Sequence, residues 1–477
     1  MTMSTLRREF LARQAMGIGS VALAWLLKQD RCAAKPPTVD ARPHNDLKPR
    51  TPPAPPRATA MISLFQHGGP SHMDLCDPKP ELSRYDGTDY AEEIQFSFVN
   101  DASKKLYGSP FRFQPHGACG TELSELLPHT ASIVDDMCLI RSMHTGANGH
   151  EVSIRYFHGG IPAVLGRPTL GSWLVYGLGC ESQDLPAYMV LSDPGGLPVD
   201  GVTNWSNGFM PAMFQGTVLR PREPRILNLQ PPPHLLGTFQ RQNLGLLREL
   251  NEKHLQAHPQ EAELEARIAS YELAARMQTA ATDALDIGSE TEATHRLYGL
   301  DRDETREYGT RCLIARRLVE RGVRFVQLFH AGQPWDNHSS IATALPGICA
   351  KTDQPSAALV KDLKQRGLLD STIVHWGGEI GRLPVTQGPV AKAGRDHNGQ
   401  GFSLWLAGGG VRPGMTFGKT DDFGHRAVEN VVTPNDFQAT LLHLFGLDHE
   451  QLSYPHNARL QNITANRPAR VVHEVIA

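Results

Sequence analysis

The sequence predicts an α/β fold, on three observations. The stretch from Ser371 to Gly410 reads as strand, glycine turn, polar loop and strand, with β-branched and aromatic content over Ser371–Trp376 and a second apolar strand over Phe402–Ala407. A helix over Glu304–Arg321 stops at Gly322, and Val323–Phe329 follows as a buried strand, the helix-then-strand unit of α/β architecture. Near the start of the folded part, Met61–Gln66 reads as the first core strand and runs into His67-Gly68-Gly69. Polar groups set between such strands gather at their carboxyl ends, which is where α/β sheets bind ligands.

Composition narrows the classes. The chain has 477 residues, 20% charged and 40% hydrophobic, with a formal net charge of −3, which describes a soluble globular protein with ample material for a core. Its 47 basic residues are scattered against 50 acidic ones, so no nucleic-acid footprint is present. The 21 histidines point instead to metal chemistry. Seven cysteines, odd in number and far apart, make neither a disulfide framework nor a C-x-x-C site.

Three segments follow along the chain. Residues 1–33 carry Arg7-Arg8-Glu9-Phe10-Leu11 ahead of the apolar run Ala15–Leu27, the pattern of a twin-arginine export signal. That run is too short for a stable membrane span, which needs about 20 apolar residues. The expected partner is the export machinery, and the expected location periplasmic or extracellular. Residues 34–59 are proline-rich and predict an extended tether, leaving 60–477 as the folded domain. Within it, Asp135–Ile140 turns strand-like, and 160–233 is expected to be loops and short strands roofing the site. Helices are expected at Gln242–Gln256 and Glu261–Leu285, split by Pro259, with Leu264, Ile268 and Tyr271 as a packing stripe. Thr433 starts a last helix through Leu444.

The chemistry-bearing residues sit in the glycine-rich connections. Asp336 and His338 lie two apart after a strand and, if extended, share a side. Glu379 and Arg382 stand among Gly377, Gly378 and Gly381, where backbone can approach an ion closely. His397 follows in the next loop. One carboxylate and one imidazole can bind the same ion, as mixed nitrogen and oxygen ligands do for zinc or manganese. Arg382 and Arg395 suit the clamping of a phosphate or sulfate group, or else surface ion pairs. His144 and His150 can serve as ligands, as proton donors to a leaving group or as structural histidines.

Several of these strings carry a resemblance. Thr372–Arg382, Arg395-Asp396-His397-Asn398 and Leu406–Gly414, with Gly68–Asp74, Ser270–Ala274, Ala315–Leu318 and Trp335–His338, resemble the bacterial family called domain of unknown function 1501. That family is similar in turn to the alkaline phosphatase and sulfatase superfamily of metal-dependent ester hydrolases. The resemblance implies an alkaline phosphatase-like three-layer sandwich with a mostly parallel central sheet flanked by helices. It also implies a divalent metal (Zn, Mn or Ca) held by Asp336, His338, Glu379 and His397. The superfamily's first-strand aspartate is replaced here by Gln66 or His67, so His67, or His72 with Asp74, supplies a ligand, or a second metal site is altered or missing. By chain order the nucleophile falls at Thr145 or Ser153, with His150 nearby. No Cys-x-Pro-x-Arg string exists, which sets aside the formylglycine sulfatase mechanism. Two functions stay open: an exported hydrolase of small-molecule or glycan-borne anionic esters, and an inactive scaffold acting as a binding or assembly protein of the cell envelope.

Overall fold

The computed structural model describes residues 46–98, 102–227, 229, 238–257 and 262–477. The twin-arginine segment lies outside the described residues. Eight strands build the central sheet: β1 (Ala60–Phe65), β2 (Met137–Met143), β3 (Tyr188–Leu191), β4 (Thr217–Leu219), β5 (Phe325–Leu328), β6 (Thr372–Gly377), β7 (Phe402–Ala407) and β8 (Met415–Phe417). Their order is β8-β2-β7-β6-β1-β5-β3-β4, and β7 alone runs antiparallel to its two neighbours. The predicted mostly parallel α/β sheet is therefore present.

A parallel sheet covered on both faces needs strands that are apolar throughout. In β1 all six residues are buried, and they divide by parity. Ala60, Ile62 and Leu64 join one core cluster, while Met61 and Phe65 join the other. The first cluster is completed by α5 (Asp303–Glu320) and α6 (Ile341–Gln365), and the second by α1 (His150–Gly159), α2 (Leu170–Leu178) and α7 (Pro434–Leu444). Two further helices, α3 (Thr238–Ala257) and α4 (Ala262–Leu285), form the expected pair. Tyr271, expected to pack, is 69% exposed.

Ends of elements agree with local signals. Gly322, at φ +83°, closes the turn between α5 and β5, a backbone region costly for residues with a Cβ. Thr433 caps α7 through a reciprocal box with Asp436, in which each side chain bonds the other's backbone N–H. Residues 46–59 are without helix or strand, yet they are pinned to the domain. Arg50 N–H donates to Leu178 O, Ala54 N–H to Gly446 O and Ala58 N–H to Leu444 O.

Two expectations need correction. Residues 160–233 hold a buried helix, α2, besides the loops and short strands, and His150, placed in a glycine-rich connection, opens helix α1. α2 is short and largely buried, so it lacks the polar face that marks a helix in sequence.

Candidate metal centre

The site forms where the carboxyl ends of β1, β5 and β6 meet the amino end of α1. After β1 the chain turns through Gly68 and Gly69, at φ +104° and +70°. A Cβ on Gly68 would come within 2.6 Å of Asp336 N, and one on Gly69 within 2.7 Å of Ile380 O. Glycine is thus what lets the three loops close on one point.

Asp336 is the hub. Its Oδ1 lies 2.9 Å from His338 Nε2 and 3.1 Å from His397 Nε2, and its Oδ2 lies 3.4 Å from His150 Nε2. Each imidazole is oriented from behind. His397 Nδ1 donates to Asn148 O at 2.8 Å, His338 Nδ1 to Gln387 Oε1 at 2.6 Å, and His150 Nδ1 to Glu379 Oε1 at 2.7 Å. Because these acceptors cannot donate, Nδ1 carries the proton in all three rings. With Nδ1 protonated, each Nε2 facing the carboxylate donates to it when the ring is an imidazolium and offers a lone pair to a cation when the ring is neutral.

Electrostatics follow from that crowding. Burial would push the Asp336 carboxyl up, but the three imidazoles and the Arg382 guanidinium outweigh it and hold it well below the usual carboxylate range. Burial would depress His150, yet the Asp336 and Glu379 carboxylates together lift it to about 9. His397 is held below the ordinary range by burial. Among Asp336, Glu379 and the three imidazoles, two buried atoms stay without a hydrogen-bond partner, His150 Nε2 and Glu379 Oε2. One ligand atom each from His150, Asp336 and His397 lies within 4.8 Å of the others, and so do those of His338, Asp396 and His397. An orphaned imidazole nitrogen facing a carboxylate and two more imidazoles is a donor set that fits a divalent cation.

Of the residues expected to bind metal, Asp336, His338 and His397 come together. Asp336 and His338 do so through a turn, with His338 N–H on Asp336 O, rather than along an extended strand. Glu379 reaches the cluster only through His150, and its Oε1 also accepts the Gly68 N–H at 3.0 Å. His72 and Asp74 are bonded elsewhere. His72 Nε2 donates to Gly424 O at 2.8 Å, and Asp74 takes a bidentate ion pair from Arg395 at 2.7 and 3.0 Å.

The residues expected to act on substrate are also spent on the fold. Arg395 and Arg382 are both fully buried. Arg395 pairs with Asp74 and lies over the Tyr107 ring, while Arg382 donates to Gly68 O, Gly69 O, Arg395 O and Asp336 Oδ1. Neither guanidinium is free to hold an anion. The Thr145 hydroxyl donates toward Ala147 O and Gly399 O, and Ser153 toward Ala147 O. His150, read as a ligand, a proton donor or a structural histidine, joins the cluster itself. Sequence reasoning had no signal for Asn148 and Gln387, which act only by orienting rings brought in from distant loops.

Among solved structures, the sulfatase PsFucS1 from Pseudoalteromonas sp. is 13% identical, over 82% of this chain and 68% of that one, with a TM-score of 0.36. The phosphonate monoester hydrolase SpPMH from Silicibacter pomeroyi is 11% identical, over 73% and 71%, with a TM-score of 0.32. The lipoteichoic acid synthase LtaP from Listeria monocytogenes is 7% identical, over 85% and 76%, with a TM-score of 0.33. These likenesses are loose, and the architecture stands on the sheet topology above. No curated protein matches the chain. Residues 58–476 match the family model described as "Protein of unknown function (DUF1501)", and the chain belongs to that family.

Proposed function

We propose that the chain is a metal-dependent hydrolase of anionic phosphate or sulfate esters, with the metal held by Asp336, His338, His397 and His150. The observation that supports this reading is the convergence of three imidazole Nε2 atoms on one carboxylate, each ring fixed from behind by an acceptor on Nδ1. A bound divalent ion there supplies Lewis acidity to an ester oxygen and acidifies water. The protein's own part is to keep Asp336 ionised, to hold each Nε2 lone pair inward and, through Glu379, to raise the basicity of His150. Three nitrogens and one carboxylate suit Zn or Mn; Ca, which takes oxygen ligands, is poorly served. Ester chemistry itself leans on the resemblance to the alkaline phosphatase and sulfatase superfamily.

A second reading has a specific observation behind it. Arg382, Arg395 and Thr145 are all bonded within the fold, which fits a scaffold that retains a metal but has no free nucleophile or anion clamp among them, and that serves as a binding or assembly protein of the cell envelope. Screening aryl phosphates and aryl sulfates against zinc- and manganese-loaded protein separates the two. Turnover lost in Asp336→Ala supports the hydrolase. Full metal occupancy with no turnover supports the scaffold.

Export is part of the reading, on the strength of Arg7-Arg8 ahead of the apolar run. Among the described residues no helix is long and apolar enough to cross a membrane. Replacing both arginines by lysine should leave the protein in the cytoplasm; unchanged export would remove the twin-arginine route.

A further inference from the structure

We infer that Phe98 is the wall of an aromatic-recognition subsite at the mouth of the metal centre, so that the substrates are esters carrying an aryl group. The inference rests on the metal-centre reading above and adds the substrate class. Of the four side chains proposed as ligands, three are 7% exposed or less, and only His338, at 24%, is reachable from solvent. Entry is therefore from the His338 side.

Phe98 stands at that entrance. Its ring centroid is 4.7 Å from His338 and 5.6 Å from His397, nearly perpendicular to both imidazoles. It remains 49% exposed. What sets it apart from other exposed apolar side chains is its place against two of the proposed ligands, where its exposed part offers a flat apolar group an edge or face to pack on.

Its position is built. The buried Asp396 accepts the Ser97 and Phe98 N–H groups on Oδ2, at 2.8 and 3.1 Å, and the His397 N–H on Oδ1 at 2.8 Å. Asn148 ties the same segment from the other side, donating from Nδ2 to Gln95 O at 2.8 Å while its own carbonyl orients His397. The two residues that fix His397 thus fix Phe98 as well. That coupling ties the ring to the metal centre rather than to general packing.

The test uses the full chain loaded with zinc and measures binding of phenylphosphonate and methylphosphonate by calorimetry, so no turnover is needed. Phenylphosphonate is expected to bind about tenfold more tightly, the worth of one aromatic contact with its buried area. Phe98→Ala should bring the two within about twofold, and Phe98→Trp should restore the preference, with zinc uptake unchanged in both. A tenfold preference that survives in Phe98→Ala overturns the inference, as does an equal gain for both ligands, which would make Phe98 a cover. Absence of a phenyl preference in the natural protein overturns the subsite alone. If neither phosphonate binds, or zinc is not taken up, the metal-centre reading falls first.

Discussion

Nε2 of His338 lies 2.9 Å from Nε2 of His397, and both rings carry their proton on the far nitrogen. Two imidazole lone pairs at that distance, with Asp336 Oδ1 beside each, repel unless a positive charge sits between them. A proton on one Nε2 can fill that role in part. A divalent cation fills it for all of the donors at once.

Glu379 is predicted to tune the centre from behind His150. Glu379→Gln keeps an oxygen for His150 Nδ1 and for the Gly68 N–H but removes the charge. Zinc affinity, followed by competition with a chromophoric chelator, should fall by about 10–100-fold. Loss as complete as in His397→Ala would make Glu379 a direct ligand.

The Arg395 and Asp74 pair is predicted to support the fold and not the substrate. Both side chains are fully buried, and Arg395→Ala strands a carboxylate in the core. Urea unfolding should show a loss of about 3–5 kcal/mol, most of it recovered when Asp74→Leu and Arg395→Met are combined. A variant of full stability with weakened phosphate affinity would return Arg395 to the substrate.

His375, on β6, sets a pH dependence of its own. Burial holds its pKa down, to about 3, while in the unfolded chain it titrates near 6.5. The unfolded state therefore binds the extra proton first, so this stability is present above about pH 6.5 and is lost as pH falls toward 3. Between pH 7.5 and 5 the natural protein should lose about 2 kcal/mol more than His375→Gln, measured by urea unfolding after chelation. Equal acid sensitivity in the two would mean that His375 is protonated in the native state.

The parts readable in the sequence were those with local signatures. β1, β5, β6 and β7 are apolar runs bounded by glycine, α5 ends at Gly322, and α7 begins at a threonine cap, so each could be placed from neighbours alone. α2 was not, since eight of its nine residues are buried and no polar face marks its period. α6 contains Pro346 and Pro355, which hide a helix that tertiary packing sustains. The same division holds at the site. Asp336 with His338 and the loop around His397 stood out by residue type. The Arg395 pairing with Asp74, across 321 residues, and the bonds from Gln387 and Asn148 exist only once the loops are folded.

Metal analysis of the purified protein beside Asp336→Ala and His397→Ala bears most directly on the central claim. The natural protein should carry about one equivalent of zinc or manganese, and each variant should lose it while keeping its fold. Equal metal in all three proteins, or none in any, would contradict the centre.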